Sequence, residues 1–286
     1  MYGIIIATVL IGLTGCLIGF FLTFSARKFE VKVDPKESAV LDALPGNNCG
    51  GCGFAGCADC AKAIAEGKAA VNQCPVGGEP VAKIIAGIMG VEAGKEEKKV
   101  AYVRCSGDCT KAKDRYLYSG FENCAAAKMV PGGSHKACSF GCMGFGDCVN
   151  VCEFDAIHII DGIARVDKEK CKACGKCIKA CPQNLITFVP YDSAYVVSCR
   201  NEEKGKDVMK ECSVGCIACR ICEKNCPSDA VHVVNNIAEI DQSKCTGCGI
   251  CAEKCPRKII LLQPGQVRLP SEEKTDDPLG ASAASE

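Results

Sequence analysis

A surplus of charge of either sign is missing from this sequence: 34 Lys and Arg stand against 34 Asp and Glu, a formal net charge of zero over 286 residues. No basic field is available to attract a nucleic acid, and charge-guided docking would have to come from local patches. The chain also has no P-loop, no flavin motif and no acid-base constellation, which excludes nucleotide-driven work and side-chain acid-base catalysis. A G-x-G-x-x-G spelling does occur, at Gly51 to Gly56. A dinucleotide site needs that motif to follow a strand inside a βαβ unit. Here cysteines bracket it and no strand precedes it, so NAD binding there is excluded too.

What the chain has instead is 27 cysteines. In a secreted protein they would suggest disulfides, and C-x2-C pairs can also hold zinc. The spacing argues for iron. Cys142, Cys148, Cys152, Cys171, Cys174, Cys177 and Cys181 recur as Cys216, Cys222, Cys226, Cys245, Cys248, Cys251 and Cys255, each shifted by 74 positions. Each copy leads from a C-x3-C step through a short hairpin to a C-x2-C-x2-C-x3-C-P run, Cys171 to Pro182 and Cys245 to Pro256. That run is the bacterial ferredoxin pattern: three thiolates wrap one corner of a 4Fe-4S cluster and the fourth points to its neighbour. Zinc tetrahedra do not call for the third cysteine and the trailing Cys-Pro. Ligation needs thiolates, which disfavours disulfides and points to a reducing, cytosolic side.

In the second copy this reading puts Cys216, Cys219, Cys222 and Cys255 on one cluster and Cys245, Cys248, Cys251 and Cys226 on the other. The first copy has Phe145 where the second has Cys219. Cys138, four residues before Cys142, is the nearest replacement. The expected sets are then Cys138, Cys142, Cys148 and Cys181, and Cys171, Cys174, Cys177 and Cys152; the alternative is a three-thiolate site with Cys138 used elsewhere. Between the cysteine runs, AVHVVNNIAEID and AIHIIDGIARVD predict hairpins turning at Asn235-Asn236 and Asp161-Gly162.

Tyr2 to Phe24 is uncharged and almost wholly apolar, about 23 residues, long enough to cross a hydrocarbon core as one helix. A signal peptide would show a basic n-region and a shorter apolar core. Arg27, Lys28 and Lys32 follow, so the positive-inside rule places the rest of the chain in the cytoplasm. Gly15 and Gly19 form a GxxxG pair that allows close approach of another membrane helix. After a polar stem comes NNCGGCGFAGCADCAKAIAEGKAAVNQCPVGG, Asn47 to Gly78, in which Cys49, Cys52, Cys57 and Cys74 form a further 4Fe-4S set across a helix over Ala58 to Ala65. Cys60 reads as a packing residue.

A membrane helix, then LPGNNCGGCGFAGC and CPVGG, then paired ferredoxin motifs resembles the B subunit of the Rnf complex, also called RsxB. The resemblance covers residues 1 to 262, and two ferredoxin pairs make it similar to the long form of anaerobes such as clostridia. It implies that reduced ferredoxin delivers electrons to this subunit. Partner subunits then carry flavins, NAD and an ion path for Na+ or H+, in a cell membrane.

Organised this way, the chain is α+β: a transmembrane helix (1–26), a stem (27–45), a 4Fe-4S unit (46–92), a linker region with room for an extra cluster (93–137), a first ferredoxin-like module (138–190), a connecting segment (191–211), a second module (212–262) and a flexible tail (263–286). Val81 to Val91 reads as helix and Gly94 to Lys99 as solvated linker. Once Cys16, Cys60 and the twenty ligands are set aside, Cys105, Cys109, Cys124, Cys199 and Cys212 remain, enough for a sixth cluster with Cys199 or Cys212 as its fourth ligand. Electron transfer is the function that five or six clusters leave. A polyferredoxin of another membrane oxidoreductase without ion coupling, and a zinc scaffold without redox chemistry, are the competing readings.

Overall fold

The computed structural model describes residues 2–28, 34–94, 97–131 and 133–262; the tail at 263–286 and part of the stem lie outside them. Helix α1 (Tyr2–Lys28) is a helix long and apolar enough to cross a membrane, and among the described residues of its Tyr2–Ser25 stretch no side chain is buried against the rest of the chain. Two of its hydroxyls bond back to the helix itself, Thr14 Oγ1 donating to Leu10 O at 3.0 Å and Thr23 Oγ1 to Gly19 O at 2.7 Å, as an apolar surrounding favours.

Three helices build the small unit: α2 (Pro35–Ala43), α3 (Cys57–Ala65) and α4 (Gly78–Met89). Asp34 caps α2 by accepting from Lys36 N at 2.9 Å, with proline in the first turn. Val40, Leu44, Ile64 and Ile85 close the core between them.

The rest is one supersecondary pattern used twice. In the first instance β1 (Lys99–Val103) is followed by a long excursion containing α5 (Cys124–Met129), then α6 (Asp147–Asn150), the hairpin β2 (Ile157–Ile160) and β3 (Ile163–Val166), α7 (Lys176–Ala180) and β4 (Ile186–Pro190). The second has β5 (Tyr195–Val197), a shorter excursion with α8 (Gly205–Glu211), α9 (Ile221–Lys224), the hairpin β6 (Val231–Val234) and β7 (Ile237–Ile240), α10 (Ile250–Lys254) and β8 (Ile260–Leu262). The outer strands pair antiparallel, β1 with β4 and β5 with β8, closing each βαββαβ unit. Two strands thus fall outside the module limits expected from the sequence. Lys99–Val103, placed in a linker, belongs to the first unit, and Tyr195–Val197, placed in the connecting segment, belongs to the second.

The hairpins turn where the local residues permit a left-handed backbone: Asn235 and Asn236 have φ of 49° and 61°, Asp161 and Gly162 51° and 74°. Consecutive positive φ matches the type I′ turn that suits twisted strands. Asn235→Val should cost about 1–2 kcal/mol, read as a lower denaturant midpoint for the second unit, whereas Asn235→Gly should be neutral or stabilising.

The two units share a packed seam. Val100, Tyr102, Val189 and Val196 form a core across it, and the Tyr102 and Ser198 hydroxyls hydrogen-bond. Ser213 N donates to Lys111 O and Lys113 N to Glu211 O, both at 2.9 Å, so the first excursion pairs with the second unit. Arg104 Nη1 meets Glu239 Oε1 at 3.3 Å.

Candidate metal centres

Cysteines gather in fours around voids of similar size. A void of about 320 Å3 lies between Cys152, Cys171, Cys174 and Cys177, and one of about 310 Å3 between Cys216, Cys219, Cys222 and Cys255. Cys251 interacts electrostatically with Cys245, Cys248 and Cys226. Among the described residues no three His, Cys, Asp or Glu side chains converge closely enough to hold a single ion. Thiols that ring a shared space from several sides, with apolar walls such as Ile157, Ile259 and Ile260, fit a polynuclear group.

Backbone amides point at these sulfurs. Ala164 N donates to Cys142 Sγ at 3.4 Å, Ala156 N to Cys152 Sγ at 3.4 Å and Ala230 N to Cys226 Sγ at 3.3 Å. The last two come from the same position in each unit, just before the hairpin. Such donors favour the thiolate and are a lever on cluster potential. Burial acts the other way: it pushes the thiols of Cys148 and Cys177 up to about 12, and those of Cys142 and Cys222 to about 11. Iron loading therefore has to displace protons.

The first unit departs from expectation. The void of about 380 Å3 that contains Cys142, Cys148 and Cys181 is completed by Cys124, and Cys138 is not in its wall. The reason is the longer excursion. It returns to the unit through α5, whose first residue is Cys124. Asp147, at the start of α6, clamps that helix end by accepting from Cys124 N at 3.0 Å and Ala125 N at 3.1 Å. Phe145, in the place of the missing cysteine, packs its ring 5.2 Å from Tyr118 and 5.3 Å from His135, both of the excursion. The substitution that removes one thiol thus anchors the segment that supplies another.

Cys138 instead joins Cys105, Cys199 and Cys212 around a void of about 370 Å3 in the seam. The sixth set read from the sequence is accordingly split. Cys105, Cys199 and Cys212 come together, Cys124 goes elsewhere, and Cys109 is exposed, with its amide donating to Asp161 O at 3.0 Å.

In the small unit Cys52, Cys57 and Cys74 pack against the α2–α3–α4 core. Asn48 Oδ1 accepts from Cys57 N at 2.8 Å and so fixes the loop at the start of α3. Cys60 is buried in that core beside Cys52, and burial raises its thiol to about 12. Cys49 lies within electrostatic range of Cys174. The unit docks on the first ferredoxin-like unit at Gly51, where an added Cβ would lie 2.7 Å from Cys174 O. Gly51→Ala should force the two apart; its iron content should match the parent while spin-spin broadening in the EPR spectrum of the reduced protein is lost.

Ferredoxin-like βαββαβ units with four-cysteine cavities, a small cysteine unit and a membrane-length helix define a membrane-bound, multicentre iron-sulfur protein. Residues 170–230 match the 4Fe-4S dicluster domain family, 238–261 the 4Fe-4S binding domain family and 44–76 an Fe-S cluster family. The chain is 46% identical over 243 residues to the B subunit of the Na(+)-translocating ferredoxin:NAD(+) oxidoreductase complex of Acetobacterium woodii, covering 85% of this chain and 73% of that protein. It is 47% identical over 256 residues to the B subunit of the ion-translocating oxidoreductase complex of Methanosarcina acetivorans (89% and 96%), and 42% over 247 residues to the proton-translocating counterpart of Clostridium ljungdahlii (86% and 87%). The chain belongs to the family of B subunits of the Rnf-type ion-translocating ferredoxin:NAD(+) oxidoreductase complexes. The dicluster match joins the second half of one unit to the first half of the next. The pairing of β4 with β1 and of β5 with β8 assigns those halves to different units.

Proposed function

We propose that this subunit takes electrons from reduced ferredoxin on the cytoplasmic face of the membrane and relays them toward flavin- and NAD-bearing subunits of its complex, which export Na+ or H+. The single observation that carries the reading is the docking of the small unit onto the Cys152, Cys171, Cys174 and Cys177 site through Gly51. It joins the ferredoxin-like part of the chain to the part tethered beside the membrane helix.

Five sets of thiolates hold the clusters in this reading: Cys49, Cys52, Cys57 and Cys74; Cys152, Cys171, Cys174 and Cys177; Cys124, Cys142, Cys148 and Cys181; Cys216, Cys219, Cys222 and Cys255; and Cys226, Cys245, Cys248 and Cys251. A 4Fe-4S cluster supplies a one-electron couple whose potential is set by hydrogen bonds and exposure. The chain's own work is to hold each group, to direct amides at the sulfurs and to keep water from the buried faces. Arg27, Lys28 and Lys32, following the apolar helix, favour the cytoplasmic side for these sites.

The relatives at 42–46% identity include one named for sodium and one named for protons, so identity at this level does not choose the ion. The test is purification of the chain from its native membrane. Flavin-bearing membrane subunits should accompany it, and vesicles should couple ferredoxin-dependent NAD reduction to ion uptake. Purification with an oxidoreductase that moves no ion would establish the polyferredoxin alternative. A colourless protein without an EPR signal on reduction would leave only the zinc scaffold.

A further inference from the structure

We propose that Cys105, Cys138, Cys199 and Cys212 hold a sixth 4Fe-4S cluster in the seam between the two ferredoxin-like units, making the electron path continuous from one to the other. The inference rests on the relay reading above.

Each unit contributes the same two positions. Cys105 and Cys199 stand two residues beyond the ends of β1 and β5, at Val103 and Val197. The preceding residues share a hydrogen bond, Arg104 N to Leu185 O and Ser198 N to Ile259 O, both at 2.8 Å. Cys138 and Cys212 each lie four residues before the first cysteine of the repeated pattern, Cys142 and Cys216. The site is therefore built from two equivalent half-sites, and neither unit could complete it alone.

The geometry is that of a made site. All four cysteines are buried, each 8% exposed, and the void between them, about 370 Å3, falls within the range of the ferredoxin-type voids at about 310–380 Å3. An added Cβ on Gly107 would lie 3.2 Å from Cys212 Sγ and 3.9 Å from Cys105 Sγ, so sulfurs from different units flank one point. Asn201, 2% exposed, bridges the other pair, its Nδ2 lying 3.4 Å from Cys138 Sγ and its N 3.5 Å from Cys199 Sγ.

Two further groups want an anionic occupant. Lys136 is 4% exposed, yet its ammonium meets only the carbonyls of Gly107 at 3.0 Å and Gly162 at 3.2 Å, with no carboxylate partner among the described residues. A buried cation needs a counter-charge, and Lys136 acts electrostatically on Cys212 and on Cys142. Ser106, in the wall of the void, has a buried hydroxyl without a hydrogen-bond partner. Four thiolates and inorganic sulfide would answer both.

The site touches its neighbours on both sides. Cys216, a ligand of the second unit, donates its amide to Cys199 Sγ at 3.4 Å. Cys105 lies in electrostatic range of Cys142 in the first. One electron leaving the reduced second unit reduces the seam site by one, and that site is reoxidised by the first unit; no bond is made or broken and no proton moves.

The test is iron and sulfide analysis of the full chain, purified anaerobically in detergent. The parent should hold about 24 iron, and Cys105→Ser and Cys199→Ser, from different units, about 20 each at four per cluster. The double variant should also hold about 20, because both changes empty one site, whereas Cys199→Ser with Cys245→Ser should hold about 16. Unchanged iron in either single variant, about 16 in the Cys105/Cys199 double, or one zinc per chain with no iron loss, overturns the proposal. A parent at about 20 with Cys199→Ser unchanged sinks the sixth site alone; a parent far below 20 sinks the five-set reading. Should a serine variant load nothing, the integrated EPR signal of the fully reduced parent decides, six spins supporting the site and five opposing it.

Discussion

Cys57→Ala in the assembled complex is expected to drop ferredoxin-dependent NAD reduction to background while ferredoxin still reduces the second ferredoxin-like unit. Position is the reason. Lys28, the last residue of α1, and Pro35, the first of α2, are seven residues apart, a reach of at most about 25 Å when fully extended. The small unit is therefore held near the membrane and the subunits embedded there. At the other end, Cys219 and Cys248 of the second unit are exposed thiols, whereas Cys49, Cys52, Cys57 and Cys74 are partly covered. On the proposed path a small soluble donor would meet the exposed end and the membrane partners the tethered one. Rapid mixing with reduced ferredoxin, followed at the cluster absorbance, separates the steps. If the variant can no longer be reduced by ferredoxin at all, entry is through the small unit and the direction is reversed.

The parts legible in the sequence were those written in short-range spacing. The offset of 74 positions carries over from cysteines to backbone: α6, β2, β3, α7 and β4 reappear as α9, β6, β7, α10 and β8 at that same offset. The αL demands of the hairpins were visible as Asn-Asn and Asp-Gly. What spacing could not show was pairing across an insertion. From Cys105 to Cys138 is 33 residues and from Cys199 to Cys212 is 13, so Cys105 and Cys199 differ by 94 positions and drop out of a search at one offset. For the same reason KVAYV, an apolar strand after a charged run, read as linker although its register puts Val103 opposite Ile186. Phe145 marks the position where the first copy has no counterpart of Cys219. The nearest cysteine in sequence was then a poor guide, because Asp147 binds the end of α5 and brings Cys124 across instead. A signal was present: Asn123 before an alanine-rich run marks a helix start, and a cysteine at the first position of such a helix is aimed by it.

That exchange leads to the second large effect. Cys124→Ser should lose about four iron per chain, because it opens the site shared with Cys142, Cys148 and Cys181. Combining Cys124→Ser with Cys181→Ser should lose no more than the single change, since both belong to one void. Combining it with Cys138→Ser should lose about eight, since Cys138 belongs to the seam. Cys109→Ser, altering an exposed thiol, should lose none and controls for the general cost of replacing cysteine. The Cys124 and Cys138 pair is the sharpest comparison. If together they remove only about four iron, the two thiols serve one centre, Cys138 takes the place left by Phe145 after all, and the seam site has lost a ligand. Non-additivity of this kind is diagnostic because groups that act as a unit cannot be removed twice, while separate sites in one chain lose their contents independently.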